Sequence, residues 1–427
     1  MLDIKFIREN KELVKEGARK KRIEINIDIL LSLDDKRIEL IRRVEEIRRK
    51  QNVASDEIRE KFSAQKNDPE YLKERSLAIE VLRRAKIALQ KDEEELKKTM
   101  EEWRRMMLTI PNTPDVSVPE GESDADNVEV RKIGAPKQIQ NPKNHIDLML
   151  AHRMVDFERG TKVAGFRGYF LKNDGALLSV SLMRYVFDFF ARKGFEYMIA
   201  PALLKKEGLL GTGYLPQGEE DLYKTQDGTY LSGTAEVAVM HSFMDEVFDK
   251  KDLPKKVLAF SPCFRREAGS HGKDTKGIFR VHEFFKLEQV VLCEARHEES
   301  VKYHEEVTAH AEDLMKSLEI PYRVVVNCGG DLGLGQVKKY DIEAWVPSEN
   351  GYRETHSSSY FHDFQTRRLN IKYRDDDGKT KFAHSLNNTA LATPRIMVSL
   401  LENHQEKDGS IRIPDALHNY FGKSVIR

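Results

Sequence analysis

Cysteine is scarce in this chain: three residues in 427, Cys263, Cys293 and Cys328, lie far apart with no CxxC pair. That spacing argues against a disulfide framework and against zinc, and it fits three small core hydrophobes in a reducing compartment. Long apolar runs are also lacking, since none reaches the ~18 residues that a membrane-spanning helix needs. The opening residues, MLDIKFIRENKEL, carry acidic side chains and no apolar h-region, unlike a secretory signal or a typical transit peptide. A soluble, cytoplasmic protein without a membrane partner is expected. Neither sign of charge is in excess, because Lys+Arg and Asp+Glu both total 71. A nucleic-acid partner would therefore need a locally basic surface.

What is present points to two or three domains, the prior for 427 residues. Hydrophobic residues make up 40%, enough for a sizeable core, and the 33% charged residues suggest long exposed helices. From Asp28 to Trp103 there is no glycine, and Glu, Lys, Arg and Leu dominate. One apolar seam steps by threes and fours through Leu33, Leu40, Val44, Ile47, Ala54 and Ile58. A second follows Ile79, Leu82, Leu89, Leu96, Met100 and Trp103, interrupted by Lys86 and Glu93. This is the spacing of a coiled coil. Lys66-Asn67-Asp68-Pro69 supplies a turn between the legs, because proline can open a helix but not continue one. An antiparallel helical hairpin is expected, with legs of roughly 45 Å. Such a hairpin buries little and would fold against something or reach a partner. Arg42, Arg43, Arg48, Arg49 and Lys50 repeat positive charge along the first leg, but Glu39, Glu45 and Glu46 lie among them. By charge alone they read as a solvated face.

After Trp103, Pro111, Pro114, Pro119 and Pro136 with Gly121 and Gly134 mark a linker or ordered loop that cannot be regular helix. Beyond about His145, strand-like runs (Val257–Phe264, Phe279–Leu292, Tyr322–Val326) mix with helical ones (Leu178–Lys193, Thr393–His404). Strands adjacent in sequence favour an α+β fold with an antiparallel sheet.

The stretch from Val257 to Val291 carries the chemistry. Its first run alternates so that Cys263, Arg265 and Glu267 share a face; after a Gly/Lys loop, Phe284, Lys286 and Glu288 share another. Pairing these runs would bring a guanidinium fork suited to phosphate, a ring suited to stacking on a base, and a carboxylate suited to an ammonium or hydroxyl into one place. Taken alone, each of these residues reads first as structural, a surface ion pair or a core phenylalanine. Gly272-Lys273 lacks the GxxxxGK[ST] of a P-loop, and Gly329 to Gly335 does not fit GxGxxG and is expected to make turns. The histidines have no paired metal-ligand spacing.

Several of these segments together resemble a known family. FRREAGSHGKDTKGIFRVHEF is similar to motif 2 of class II aminoacyl-tRNA synthetases, in the version seen in the bacterial-type seryl-tRNA synthetase family. NNTALATPRIMVSLLENHQ resembles motif 3, and the stretch from Gly194-Phe195 to Pro201 resembles motif 1. The segments Leu231 to Glu236, Tyr340 to Trp345 and Asp363 to Arg368 also fit, as do Asn52 and Ser55 in the arm. The likeness spans essentially the whole chain, and several motifs in the right order make chance agreement very improbable. It departs from the family's usual EVSSCSNCTDFQ at His356, Tyr360, Phe361 and His362; Gly233 replaces a common proline and Glu283 a common glutamine.

The resemblance implies a class II catalytic domain over 104–427 preceded by a tRNA-binding coiled-coil arm over 1–103. It implies serylation of serine tRNA through a seryl-adenylate, with ATP as substrate, Mg²⁺ as cofactor and no zinc. Arg265, Glu288 and Arg395 would be catalytic. ATP would meet Arg265, Arg266, Glu267, Val281, Phe284, Glu354, Thr355, His356, Ser357 and Arg395, with Glu354 and Ser357 on Mg²⁺. L-serine would meet Thr234, Ala235, Glu236, Arg265, Glu288, Asn387 and Thr389. Arg42, Arg43, Arg48, Arg49 and Lys50 would touch the long variable arm of serine tRNA, reversing the charge-only reading; use of selenocysteine tRNA stays open. A homodimer with arm and active site on different subunits is implied. Two rivals remain: a synthetase-like enzyme that loads a carrier protein, and a non-catalytic RNA-binding scaffold. The intact arm argues against the first, and the retained Arg265, Glu288, Glu354 and Arg395 against the second.

Overall fold

The computed structural model of the chain describes residues 1–62, 68–270, 272 and 274–427. It forms two compact units. One comprises Ile4–Lys11 and Glu24–Ile110; the other comprises Met1–Asp3, Glu12–Ile23 and Pro111–Arg427.

The smaller unit is built on two long helices, Ile27–Lys61 and Pro69–Thr109. Asn26 caps the first through its side chain, and Asp68 with Pro69 opens the second. Lys66 and Asn67 of the expected turn lie outside the described residues. The helices run antiparallel: Lys36 pairs with Glu95, Arg43 with Asp92, Arg48 with Glu93 and Lys61 with Glu74. The first seam is buried or half-buried as expected. On the second leg, Ile79 and Met100 are instead 50% and 45% exposed. The inward face runs through Ala78, Leu82, Ala85, Leu89, Asp92, Leu96, Thr99 and Trp103, an unbroken alternation of fours and threes. Ile79 and Met100 of the expected seam each stand one residue past the inward positions Ala78 and Thr99. Lys86 and Glu93 therefore do not interrupt it; each follows a seam position. Asp92 on the seam receives two hydrogen bonds from Arg43, at 2.7 and 2.9 Å.

The larger unit centres on an eight-stranded sheet in the order Val128–Ile133, Tyr322–Val326, Lys338–Val346, Gly351–His362, His384–Ala392, Glu283–Cys293, Lys255–Phe264, Glu196–Ile199. Every pair is antiparallel except the last. The helices Asn173–Phe190, His297–Ser317 and Thr393–Asn403 share one apolar core with it, joining Leu182, Leu287, Val307, Ile342, Leu386 and Met397. The three cysteines are buried and unbridged. Among the described residues no helix is long and apolar enough to cross a membrane.

Two elements differ from expectation. The strand expected from Phe279 begins at Glu283, because Ile278, Phe279 and Val281 enter the core instead of pairing. Gly277 makes that entry possible: at φ +79°, its missing Cβ would lie 2.2 Å from the His145 Nε2. The proline-marked stretch has no α-helix, as expected, but Val128–Ile133 within it forms the sheet's edge strand against Tyr322–Val326.

Candidate active site

The central hairpin pairs Cys263 with Phe284, Ser261 with Lys286 and Ala259 with Glu288. Alternation puts Phe284, Lys286 and Glu288 on one face, and all three line a cavity of about 620 Å³. Arg265 stands just past the strand, its amide donating to the His282 carbonyl at 3.0 Å. Its Nε donates to the Gly233 carbonyl at 3.2 Å, and its guanidinium lies 5.5 Å from the Phe284 ring centre. Glu267, at φ +56°, accepts a hydrogen bond from Arg280 at 2.8 Å.

Arg395, in the first turn of Thr393–Asn403, donates to the Glu354 backbone carbonyl at 3.2 Å and pairs with its carboxylate at 3.1 Å. Burial works to raise the Glu354 carboxyl, but Arg395 with Lys339 and Arg265 outweighs it and holds the group well below the usual range. Thr355, Ser357 and Val281 line the same wall. Two guanidinium groups and two carboxylates thus bound one part of the cavity.

A second cluster holds Glu236, Glu288, Thr234, Asn387 and Thr389. Thr389 sits opposite Glu288 in register. The Thr234 hydroxyl donates to Glu288 at 3.1 Å, and Lys286 pairs with Glu288 while donating to Thr234 at 3.3 Å. Glu236, Asn387 and Thr389 reach the cavity. Among the described residues no group of three or more His, Cys, Asp or Glu side chains is placed to hold a metal ion.

Comparison with known proteins fits this geometry. Residues 221–404 match the model of the tRNA synthetase class II core domain (G, H, P, S and T). Residues 1–114 match the seryl-tRNA synthetase N-terminal domain. A Serine--tRNA ligase of Deinococcus radiodurans is 43% identical over 424 residues, covering 99% of this chain and 98% of the relative. The chain belongs to the seryl-tRNA synthetase family. The crystal structure of seryl-tRNA synthetase from Pyrococcus horikoshii complexed with ATP superposes with a TM-score of 0.88 at 38% identity, covering 100% of this chain and 99% of that one. The cytoplasmic Serine-tRNA ligase from Naegleria fowleri in complex with AMP gives 0.86 at 32%, with the same coverage.

Within this seryl-tRNA synthetase fold, four residues that the resemblance placed at ligands do not line the cavity: Thr234, Ala235, Arg266 and His356. His356 is buried, with its Nδ1 2.9 Å from the Thr355 hydroxyl. Its neighbours explain why the unusual stretch leaves the cavity wall intact. Tyr360 donates to Asp115 at 2.9 Å, Ser358 accepts from Thr308 at 2.8 Å, and His362 lies 3.2 Å from His297. These alternate residues meet the helix His297–Ser317 and the loop at Asp115, while Ser357, Ser359 and Phe361 line the cavity. Of the four departures named on this strand, His356, Tyr360, Phe361 and His362, only Phe361 lines the cavity.

Other cavity residues carried no assigned role in the sequence. Lys286 shares the alternating face of Phe284 and Glu288, a signal that was available. Tyr214 and Lys339 also line the wall, and Lys21 supports it from below: its buried ammonium donates to the carbonyls of Gly333, Leu334 and Gln336 at 3.0, 3.0 and 2.5 Å. Nothing local to Lys21 marks it, because its acceptors are more than 300 residues away.

Proposed function

We propose that the chain activates L-serine with ATP and transfers the seryl group to serine tRNA. The observation that carries this is the single cavity holding Arg265, Phe284 and Arg395 together with Glu236 and Glu288. In the first step the serine carboxylate oxygen attacks the α-phosphorus, an O–P bond forms, and the bond to pyrophosphate breaks. Arg265 is assigned to the α-phosphate, where charge builds as the attack proceeds, and Arg395 to the γ-phosphate. Phe284 is assigned to stack on adenine, and Glu267 to contact the nucleoside end. No protein nucleophile is needed, so rate comes from positioning and charge stabilisation. In the second step the terminal hydroxyl of the tRNA takes the seryl group and AMP leaves.

Glu354 and Ser357 present oxygen donors on the same wall, a fit for Mg²⁺, which takes one or two carboxylates plus substrate phosphates rather than an all-protein cage. When bound, Mg²⁺ would neutralise phosphate charge there. A pocket that hydrogen-bonds the serine hydroxyl can reject alanine by roughly 10⁴–10⁵, because polar groups would be left unpaired.

Residues 1–103 are assigned to tRNA binding and 104–427 to chemistry. On the arm, Arg43, Arg48 and Lys50 are held by Asp92, Glu93 and Glu46. Arg42 and Arg49 are exposed and, among the described residues, in no ion pair, so they are the first candidates for tRNA phosphate. Tyr197 and Ile199 on the edge strand, with Leu203 just beyond it, are exposed apolar side chains and support homodimerisation there. Buried unbridged cysteines suit the cytoplasm.

The test is ATP–pyrophosphate exchange across a panel of amino acids, followed by charging of serine tRNA. Exchange with serine and charging are expected. Strong exchange with another amino acid and none with serine would reject the proposal.

A further inference from the structure

Glu236 and Glu288 stand in one cavity with different partners. Glu288 is ion-paired with Lys286 and accepts from Thr234. Glu236 is 3% exposed and its described partners are neutral: the Tyr214 hydroxyl donates to Oε2 at 3.0 Å and the Gln365 amide to Oε1 at 2.7 Å. No ion pair to Glu236 occurs among the described residues. Burial, and then the Glu288 charge, push its carboxyl up, against the donors Gln365 and Tyr214 and the charge of Lys286. A buried carboxylate without a cation is costly, and each oxygen keeps an acceptor position beyond its one neutral donor. A substrate ammonium supplies both the charge and the hydrogens.

The two donors are built to hold this carboxylate still. The helix Lys206–Thr212 ends at Gly213, whose φ of +94° turns the chain, and the Tyr214 amide closes back on the Leu209 carbonyl at 3.0 Å. Gln365 accepts from Ser385 on Oε1 at 2.7 Å, so its amide hydrogens face Glu236 and the Thr212 carbonyl, 3.2 Å away. One amide thus ties the carboxylate to the helix end that presents Tyr214.

We propose that Tyr214 is a positioning residue for amino-acid recognition, orienting Glu236 with Gln365 to receive the substrate ammonium. This rests on the reading that the cavity takes serine. In the full-length Tyr214→Phe variant, the KM for serine in pyrophosphate exchange is expected to rise about 10-fold or more, the loss of one donor to a buried charge. The KM for ATP and kcat are expected to stay within about 2-fold, since no phosphate contact is removed. Serinamide keeps the ammonium and should lose inhibition in step with serine. 3-Hydroxypropionate lacks it and should inhibit as before. The acid limb of kcat/KM for serine should also move to higher pH, because losing a donor favours the protonated Glu236. Ser385→Ala, which frees Gln365, should shift the same readouts in the same direction by less, and it serves if Tyr214→Phe fails to fold. Equal weakening of both analogues, a parallel rise in the ATP KM, or an unchanged serine KM would overturn the proposal. A wild-type protein showing no serine-dependent exchange would instead reject the reading beneath it.

Discussion

The arm and the catalytic unit bury apolar surface in opposite ways. Along the arm, one stripe per helix is covered, Leu77, Ile79, Val81 and Ile87 stay exposed, and ion pairs such as Arg43–Asp92 and Arg48–Glu93 bridge the legs. In the catalytic unit, whole strands are covered: Leu258, Leu287, Val291 and Leu386 are essentially inaccessible. A repeat of seven suffices to build a two-helix rod, because each layer needs only its neighbours. A sheet wrapped by helices needs contacts between residues hundreds of positions apart. One chain therefore holds a modular arm and a cooperative core, and substitutions should divide along that line.

The sharpest division is functional. Replacing residues 40–96 with a short Gly/Ser turn should abolish charging of serine tRNA while sparing serine-dependent exchange; equal loss of both would break the division. Next, Arg265→Ala should lower exchange by about 10²–10³, the range for removing one preorganised donor to developing charge, with tRNA binding by filter retention unchanged. In stability, Leu258→Ala should cost about 2–5 kcal/mol as a buried large-to-small change, whereas exposed Ile79→Ala should fall within about 0.5 kcal/mol in urea unfolding. A cost at Ile79 equal to that at Leu258 would restore it to the seam.

A pH scan sharpens the contrast further. Burial lowers His304, His356 and His362 to about 4, all in the catalytic unit. These groups are neutral when folded and gain protons on unfolding. Their stabilisation is present above about 6.5, their ordinary value, and is lost as pH falls toward about 4, at up to about 1.4 kcal/mol per pH unit for each. The catalytic unit should therefore lose thermal stability between pH 6.5 and 4, and His356→Gln should flatten that slope. The smallest effect belongs to the arm: a double-mutant cycle on Arg48 and Glu93 should give a coupling of about 0.2–1 kcal/mol, since both are solvent-exposed.

Much of this was legible beforehand where physics is local. Heptad spacing located the arm, strand alternation grouped Phe284, Lys286 and Glu288, and prolines excluded helix after Ile110. The misses have physical causes too. The inward face at Ala78 and Thr99 was hidden because helix phase, not side-chain size, selects the seam. The edge strand Val128–Ile133 alternates weakly and gains its pairing only from Tyr322–Val326. His356, placed at ATP by the resemblance, has the parity of Ser358, Tyr360 and His362 and does not line the cavity, while a bulge opposite Ile342 and Glu343 lets Glu354 and Thr355 both line it.

By itself the sequence determined what periods and motifs can encode: a helical hairpin, an antiparallel α+β unit, and the family to which their order belongs. Only the tertiary structure decided which carboxylate in the cavity meets a lysine and which meets a tyrosine. Lys286 is two residues from Glu288 and follows from alternation, but Tyr214, Glu236 and Gln365 are scattered over more than 150 residues. Their convergence depends on how the end of Lys206–Thr212 at Gly213 and the helix Phe364–Leu369, which begins after Asp363, pack beside the sheet, and no local preference specifies that.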